Sequence, residues 1–270
     1  MQIKPKAFYT PGSILSSVET KLKQSHSSEI PVDYVTFVAD GEPTLDINLK
    51  QEIKGVKELG CKSAVISNAS LIWRPDVQDA LMEADWVSLK VDAVIKNVWR
   101  RINRPHGKLL MQKILEGAIE FSDSYPGKLV TETMLVRDLN DDSEHLNHVA
   151  VYLSELNPKT AYLSMPTRPP AEARVRPPRE NQLQMAYEIF RKELPDVAFN
   201  ISYEGDDFQA TDDVASDLLG ITAVHPMRED AVFKFLRQAG ADKGILEDLV
   251  LKNRLVKIEY EGKTYYLRHM

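Results

Sequence analysis

Val35-Thr36-Phe37-Val38-Ala39-Asp40-Gly41-Glu42-Pro43-Thr44-Leu45 is the stretch on which the reading of the whole chain turns. An apolar run ends abruptly in the polar turn Asp40-Gly41-Glu42-Pro43, and a helical pattern follows from about 47 to 59. Strand, turn and helix in that order put the polar residues at the strand's carboxyl end, where ligands sit in α/β folds. Gly41 lets backbone donors approach a ligand closely, and Pro43 stiffens the turn. Glu42 places a carboxylate where a cationic ligand group can be read. A plain connecting loop uses Gly and Pro as punctuation in the same way, so the turn alone leaves both readings open.

Outward from this stretch the pattern repeats. Strands are predicted at 32–39, 63–67, 86–91, 128–136, 160–164 and 198–203. Helices are predicted at 47–59, 75–83, 95–102, 109–122, 142–156 and 180–192. An earlier helix is expected at 14–22, with Ser13 as its N-cap, behind a patternless connector at 1–10. Alternation at this spacing predicts a parallel sheet with right-handed crossovers. The largely apolar strands fit a sheet covered on both faces. The barrel-like region is assigned to 1–206 and an acidic linker carrying a short helix to 207–220. A small module follows at 221–270: helices at 228–239 and 244–253, then a hairpin of 256–260 and 264–268. Helix, helix and two-stranded wing is the order of a winged-helix module.

Composition excludes several classes. The chain of 270 residues has no apolar run of 18 or more, which predicts no membrane span, and its first thirty residues lack a signal-peptide pattern. A cytoplasmic protein is expected. Cys61 is the one cysteine, so no intrachain disulfide and no cysteine-ligated zinc or iron–sulfur site can be built from the chain. Its place between a helix and a strand predicts an inert thiol. The formal charge of −6 argues against wholesale coating of nucleic acid. Residues 221–270 nevertheless carry nine Lys and Arg against seven Asp and Glu, a weak pointer to an anionic partner.

Polar residues recur at the strand ends. Side chains two apart share a strand face, so Ser88, Lys90 and Asp92 align in Trp86-Val87-Ser88-Leu89-Lys90-Val91-Asp92. A buried Lys90 needs a carboxylate partner; it can be half of a structural ion pair, a ligand-binding group, or a Schiff-base amine. Glu132 lies mid-strand in Val130-Thr131-Glu132-Thr133-Met134-Leu135, and Asn68 ends the second strand. Arg168, in the Pro- and Arg-rich loop after the fifth strand, can read a carboxylate or phosphate. His145 and His148, three apart on a helix, have metal-ligand spacing but no indicated carboxylate partner, and solvated positions are expected. Convergence of Asp40 to Pro43, Asn68, Lys90 and Glu132 on one end or interior of four strands is the case for a site.

These residues resemble those of the radical SAM superfamily. Gly41-Glu42-Pro43-Thr44-Leu45 is similar to the G-E-P-T-L element that holds the amino group of S-adenosylmethionine, and Ser67-Asn68-Ala69-Ser70-Leu71 is similar to the turn after the family's next strand. Ser88 to Ala93 and Glu132 to Val136 resemble the two strands after that. The Met165–Pro170 loop and the basic tail are similar to the Fe–S oxidoreductase branch related to wyosine-forming tRNA enzymes. The resemblance implies an incomplete (β/α)6 barrel lacking its first strand, plus the winged-helix-like tail. It implies S-adenosylmethionine held by Asp40, Gly41, Glu42, Pro43 and Asn68, with Ser88, Asp92 and Glu132 on the ribose or substrate side. Lys90 becomes the candidate catalytic group and Arg168 a substrate-binding one. The implied partner is tRNA, another RNA or a protein, met through the tail. The family's C-x-x-x-C-x-x-C motif, which holds a [4Fe–4S] cluster, is missing. The chain reads as truncated just before Phe8-Tyr9-Thr10-Pro11, unable to make the radical as written, or as a non-catalytic remnant that binds S-adenosylmethionine, nucleotide or RNA.

Overall fold

The computed structural model describes residues 2–27, 31–38, 41–167, 169–170, 172, 174–200, 208, 210, 213–224, 226–260 and 262–269. Asp40 and Arg168 lie outside them. The residues form two units, Met1–Met165 with Arg176–Asn200, and Pro166–Val175 with Ile201–Met270.

The first unit is built on a parallel sheet of six strands in sequential order: β1 (Val35–Phe37), β2 (Ser63–Ser67), β3 (Trp86–Lys90), β4 (Lys128–Met134), β5 (Thr160–Ser164) and β6 (Val197–Asn200). Its helices are α1 (Pro11–Ser27), α2 (Leu49–Glu58), α3 (Pro75–Leu81), α4 (Lys96–Ile102), α5 (Met111–Ser124), α6 (Ser143–Leu156) and α7 (Glu180–Glu193). Register assigns the two faces. Val65, Val87 and Leu129 form one row, and Leu89, Thr131, Ala161 and Val197 the next. These side chains are buried with Ile53, Leu81, Phe121, Leu153 and Phe190 from the helices, which is the main core. The opposite face carries Ile66, Ser88 and Val130 in one row and Lys90, Glu132 and Tyr162 in the next. Ser88 and Lys90 therefore share a face, as their spacing predicts. Asp92 lies past the end of β3.

Two details at the start differ from expectation. Helix α1 begins at Pro11, not 14, and its cap is Thr10, whose Oγ1 accepts from Ser13 N–H at 3.3 Å. Proline at the first helical position loses no bond that the helix could have made. The connector before it is also anchored. Lys6 N–H donates to Leu45 O at 2.9 Å and Ile47 N–H to Lys6 O at 3.3 Å, a parallel bridge to the exit of the β1 turn.

The second unit contains α8 (Val214–Val224), β7 (Met227–Arg228), α9 (Glu229–Gln238), α10 (Gly244–Leu251), β8 (Leu255–Tyr260) and β9 (Lys263–Arg268). Its sheet runs β7-β9-β8, with both pairings antiparallel. Leu218, Leu219, Val232, Phe235, Leu236, Leu249 and Tyr266 form a separate core. The acidic stretch read as a linker thus holds α8, whose apolar residues are part of that core. No helix among the described residues is long and apolar enough to cross a membrane.

Candidate functional site

The turn after β1 is tied down by its own acid. Glu42 Oε1 accepts from Thr44 N–H at 3.2 Å, Thr44 Oγ1 at 2.7 Å and Ser67 Oγ at 2.7 Å, while Oε2 accepts from Asn68 N–H at 2.7 Å. The carboxylate is buried. Its contacts clasp the short 3-10 turn Pro43–Leu45 to the end of β2. Glu42 therefore shapes the turn through four donors of the chain itself. Gly41 is exposed, and a Cβ built on it would meet nothing within 4 Å, so the backbone at the turn stands open to a ligand. Beyond β2, Asn68 Oδ1 accepts from Ser70 N–H at 2.9 Å, and Ala69 takes a left-handed φ of 59°. A non-glycine residue in that region stores strain, a common feature of ligand-binding turns.

On the interior face, Lys90 Nζ lies 3.6 Å from Glu132 Oε1, which also accepts from Ser164 Oγ at 2.7 Å. Burial acts to lower the Lys90 pKa, but Asp92 and Glu132 outweigh it and the net shift is upward. The lysine is held as an ammonium ion. Asp92 is buried at the end of this row; Oδ1 accepts from Met134 N–H at 2.9 Å and Oδ2 from Asn103 Nδ2 at 2.8 Å. Burial pushes its carboxyl up, against Lys90 and these two donors.

Residues that sequence reading passed over fix this end of the sheet. Asn140, fully buried, donates from Nδ2 to Asp92 O and Met134 O, each at 2.9 Å, and accepts from Val136 N–H at 2.8 Å. It joins the ends of β3 and β4. His145 Nε2 lies 3.3 Å from Asp92 O, and since a carbonyl only accepts, this nitrogen carries the proton. Burial pushes its pKa down, so the imidazole is neutral. The expected solvated His145 is corrected: it is a buried prop of the site. His148, by contrast, is exposed. Apart from the metal-like spacing of the histidines, nothing local in the sequence marks Asn103 or Asn140, because the Asp92 groups they bind lie 11 and 48 residues away.

A cavity of about 900 Å³ opens at this end of the sheet. Gly41, Glu42, Pro43, Asn68, Lys90 and Asp92 all line it. Ser88 and Glu132 belong to the same interior face through register but are not among its walls. The cavity also runs beside Phe8, Tyr9, Asp46 and Glu52. Among the described residues no cluster of three or more His, Cys, Asp or Glu could hold a metal ion. Cys61 sits just before β2, at the amino end of the strands, opposite the cavity mouth.

No family model matches the chain. The UPF0026 protein MJ1312 of Methanocaldococcus jannaschii is 40% identical over 270 residues, covering 99% of this chain and 84% of that protein. The chain belongs to the UPF0026 family. Among solved structures, a radical SAM methyltransferase from Sphaerobacter thermophilus superposes with a TM-score of 0.57 at 14% identity, over 73% of this chain and 59% of that one. TYW1 with a lysine-pyruvate adduct bound superposes with a TM-score of 0.54 at 16% identity, over 72% of this chain and 66% of that one. Over nearly three quarters of its length this UPF0026 chain thus has a fold like that of these radical SAM enzymes.

Proposed function

We propose that this UPF0026 chain carries the S-adenosylmethionine-binding part of a radical SAM-type enzyme. The observation that supports it best is the cavity at the carboxyl ends of β1 to β3, bordered by the open backbone of Gly41 to Pro43 and by Asn68, Lys90 and Asp92. Its volume suits a nucleoside–amino acid ligand. In this reading Asp40, Gly41, Pro43 and Asn68 take the methionine end, with Glu42 acting through the turn it clasps. Ser88, Asp92 and Glu132 serve the ribose and substrate side. Lys90 binds an anionic substrate group as an ammonium ion; its raised pKa works against the neutral amine a Schiff base requires. Arg168 is assigned to the substrate mouth on sequence grounds alone.

A [4Fe–4S] cluster supplies the electron that cleaves S-adenosylmethionine in this superfamily. The residues described here do not fit one: a single thiol stands at the wrong end of the sheet and no acid–histidine cluster replaces it. These 270 residues by themselves are accordingly read as binding S-adenosylmethionine or a nucleotide without generating the radical. Isothermal titration with S-adenosylmethionine tests this. The expected result is binding that Asn68→Ala and Gly41→Val each weaken about tenfold or more. No heat of binding at millimolar ligand overturns it.

A second reading, an RNA substrate, is favoured by charge. Residues 93–115 hold six Lys and Arg and no Asp or Glu, in a chain of net charge −6. Lys96, Arg100, Arg101 and Lys108 are exposed there and make no ion pair among the described residues. Cations of the second unit are more often neutralised: Arg228 pairs with Asp230, Lys252 with Asp248 and Lys257 with Glu229. RNA binding that falls steeply with salt and is lost in Arg100→Glu/Arg101→Glu supports the reading. Loss on deleting 221–270 instead would move the contact to the winged-helix-like tail, and no binding at low salt removes it.

A further inference from the structure

One wall of the cavity carries an acid that the assignments above do not use. Glu52 lies on the buried face of α2, between Leu49 and Ile53 with Val56 a turn further on. The periodicity of that face calls for an apolar residue. The side chain is 4% exposed, and its Oε1 has no hydrogen-bond partner among the described residues. A carboxylate oxygen buried in this way is costly to keep. The cost is understandable where a ligand completes the site.

The surroundings set the sign of that ligand. Glu52 lines the same cavity as Asp46, and after burial itself Asp46 is what raises its pKa, to about 7. Cations on the neighbouring elements are engaged elsewhere. Lys6 of the N-terminal segment lies over the Phe8 ring at 4.8 Å, and Lys50 and Lys54 of α2 pair with Asp79 and Glu83 at the α3 side. Glu42 has donors of its own, and Lys90 pairs with Glu132 on the sheet and is held charged by Asp92 as well. A second buried acceptor without a partner among the described residues, Asn103 Oδ1, belongs to another residue lining the cavity. Two buried acceptors on these walls, Glu52 Oε1 and Asn103 Oδ1, thus lack a donor among the described residues. What would satisfy them is a group rich in N–H donors and positively charged.

We infer that Glu52, together with Asp46, is a cation subsite of the cavity that takes the ammonium or amidinium group of a bound ligand. The inference shares the cavity with the S-adenosylmethionine reading but does not require that occupant.

The test follows the Glu52 carboxyl carbon by 13C NMR, assigned by its disappearance in Glu52→Gln, from about pH 5 to 9. The probes are phenethylammonium, its neutral near-isostere 3-phenylpropanol, and S-adenosylmethionine. The expected result is a Glu52 midpoint lowered by about one pH unit or more at saturating phenethylammonium and unmoved by the alcohol. Glu52→Gln should weaken the cation about tenfold and leave the alcohol unchanged. Glu52→Leu, which suits the apolar face and keeps the helix, should behave as Glu52→Gln does. The inference falls if the cation does not bind at tens of millimolar, binds Glu52→Gln equally well, or shifts the midpoint no more than the alcohol. If phenethylammonium binds through Glu52 and S-adenosylmethionine does not bind, the subsite stands and the cofactor reading falls. If S-adenosylmethionine binds while the cation probe fails, the reverse holds.

Discussion

Glu42 accepts four hydrogen bonds from groups on two segments, and that count sets what its removal costs. Glu42→Gln turns one acceptor into an amide NH₂ that must face a donor, the Asn68 N–H or the Thr44 and Ser67 group. A buried donor left unpaired costs about 1–3 kcal/mol, so the variant should unfold at lower urea while the rest of the sheet stays intact. Glu52 gives a second prediction, with a pH sign. Its folded-state pKa is raised from 4.5 to about 7. Below the lower value both states hold the proton; between the two only the folded state does. Stability therefore falls as pH rises through this window. The loss is about 3 kcal/mol, and Glu52→Gln should abolish it. The difference in urea midpoint between the two proteins should change across this window as the wild type alone loses stability, and parallel curves contradict the assignment. The acid breaks the apolar face of α2, a local signal that by itself did not mark Glu52 as part of a site. That its oxygen lacks a partner was not, because a partner can come from any element packed against the helix.

Close packing between elements separates two glycines that look alike in sequence. A Cβ on Gly117 of α5 would stand 2.5 Å from Trp73 Cα and 2.9 Å from Trp73 N, backbone atoms that cannot rotate away. Gly117→Ala should lower stability by about 1–3 kcal/mol, more than the roughly 1 kcal/mol of helix propensity it gains. A Cβ on Gly55 of α2 has the two methyls and Cγ of Leu15 as its nearest neighbours. Since Leu15 can change rotamer, Gly55→Ala should be neutral or stabilising within about 1 kcal/mol. Thermal unfolding of the two variants checks the contrast. At this scale most of the strands and helices were legible, because apolar runs and 3.6-residue periodicity are local signals. The start of α1 was misjudged by three residues, since Ser13 and Thr10 are both acceptable caps and only the geometry chose Thr10. The Asp92, Asn103, Asn140 and His145 cluster was illegible for a different reason: strand order, not sequence, brings those residues together.

Across the whole molecule, each unit has its own apolar core. Phe235, fully buried in the second, should cost about 3–5 kcal/mol when cut to Ala, read as lost hydrogen-exchange protection in 214–269. Chemistry divides along another line. Anaerobic treatment of the 270-residue chain with iron and sulfide should yield no visible cluster absorption, because Cys61 alone cannot ligate one. Titration with S-adenosylmethionine should still give heat. A cluster formed on this chain would contradict the placement of its one thiol.

The sequence by itself determined the alternation of strand and helix, the apolar rows of the sheet, the strand-end turn at Gly41 to Pro43 and the single cysteine. These follow from residue type and short-range periodicity, which need no knowledge of distant neighbours. Tertiary structure decided the rest. It turned Glu42 inward as a clasp for the turn and set Lys90 against Glu132 across 42 residues. It also buried His145 under Asp92 and left Glu52 Oε1 without a partner among the described residues, on a wall of the cavity. The reason is physical: the protonation, pairing and accessibility of a polar side chain depend on the groups packed around it, and only the folded chain assembles that set.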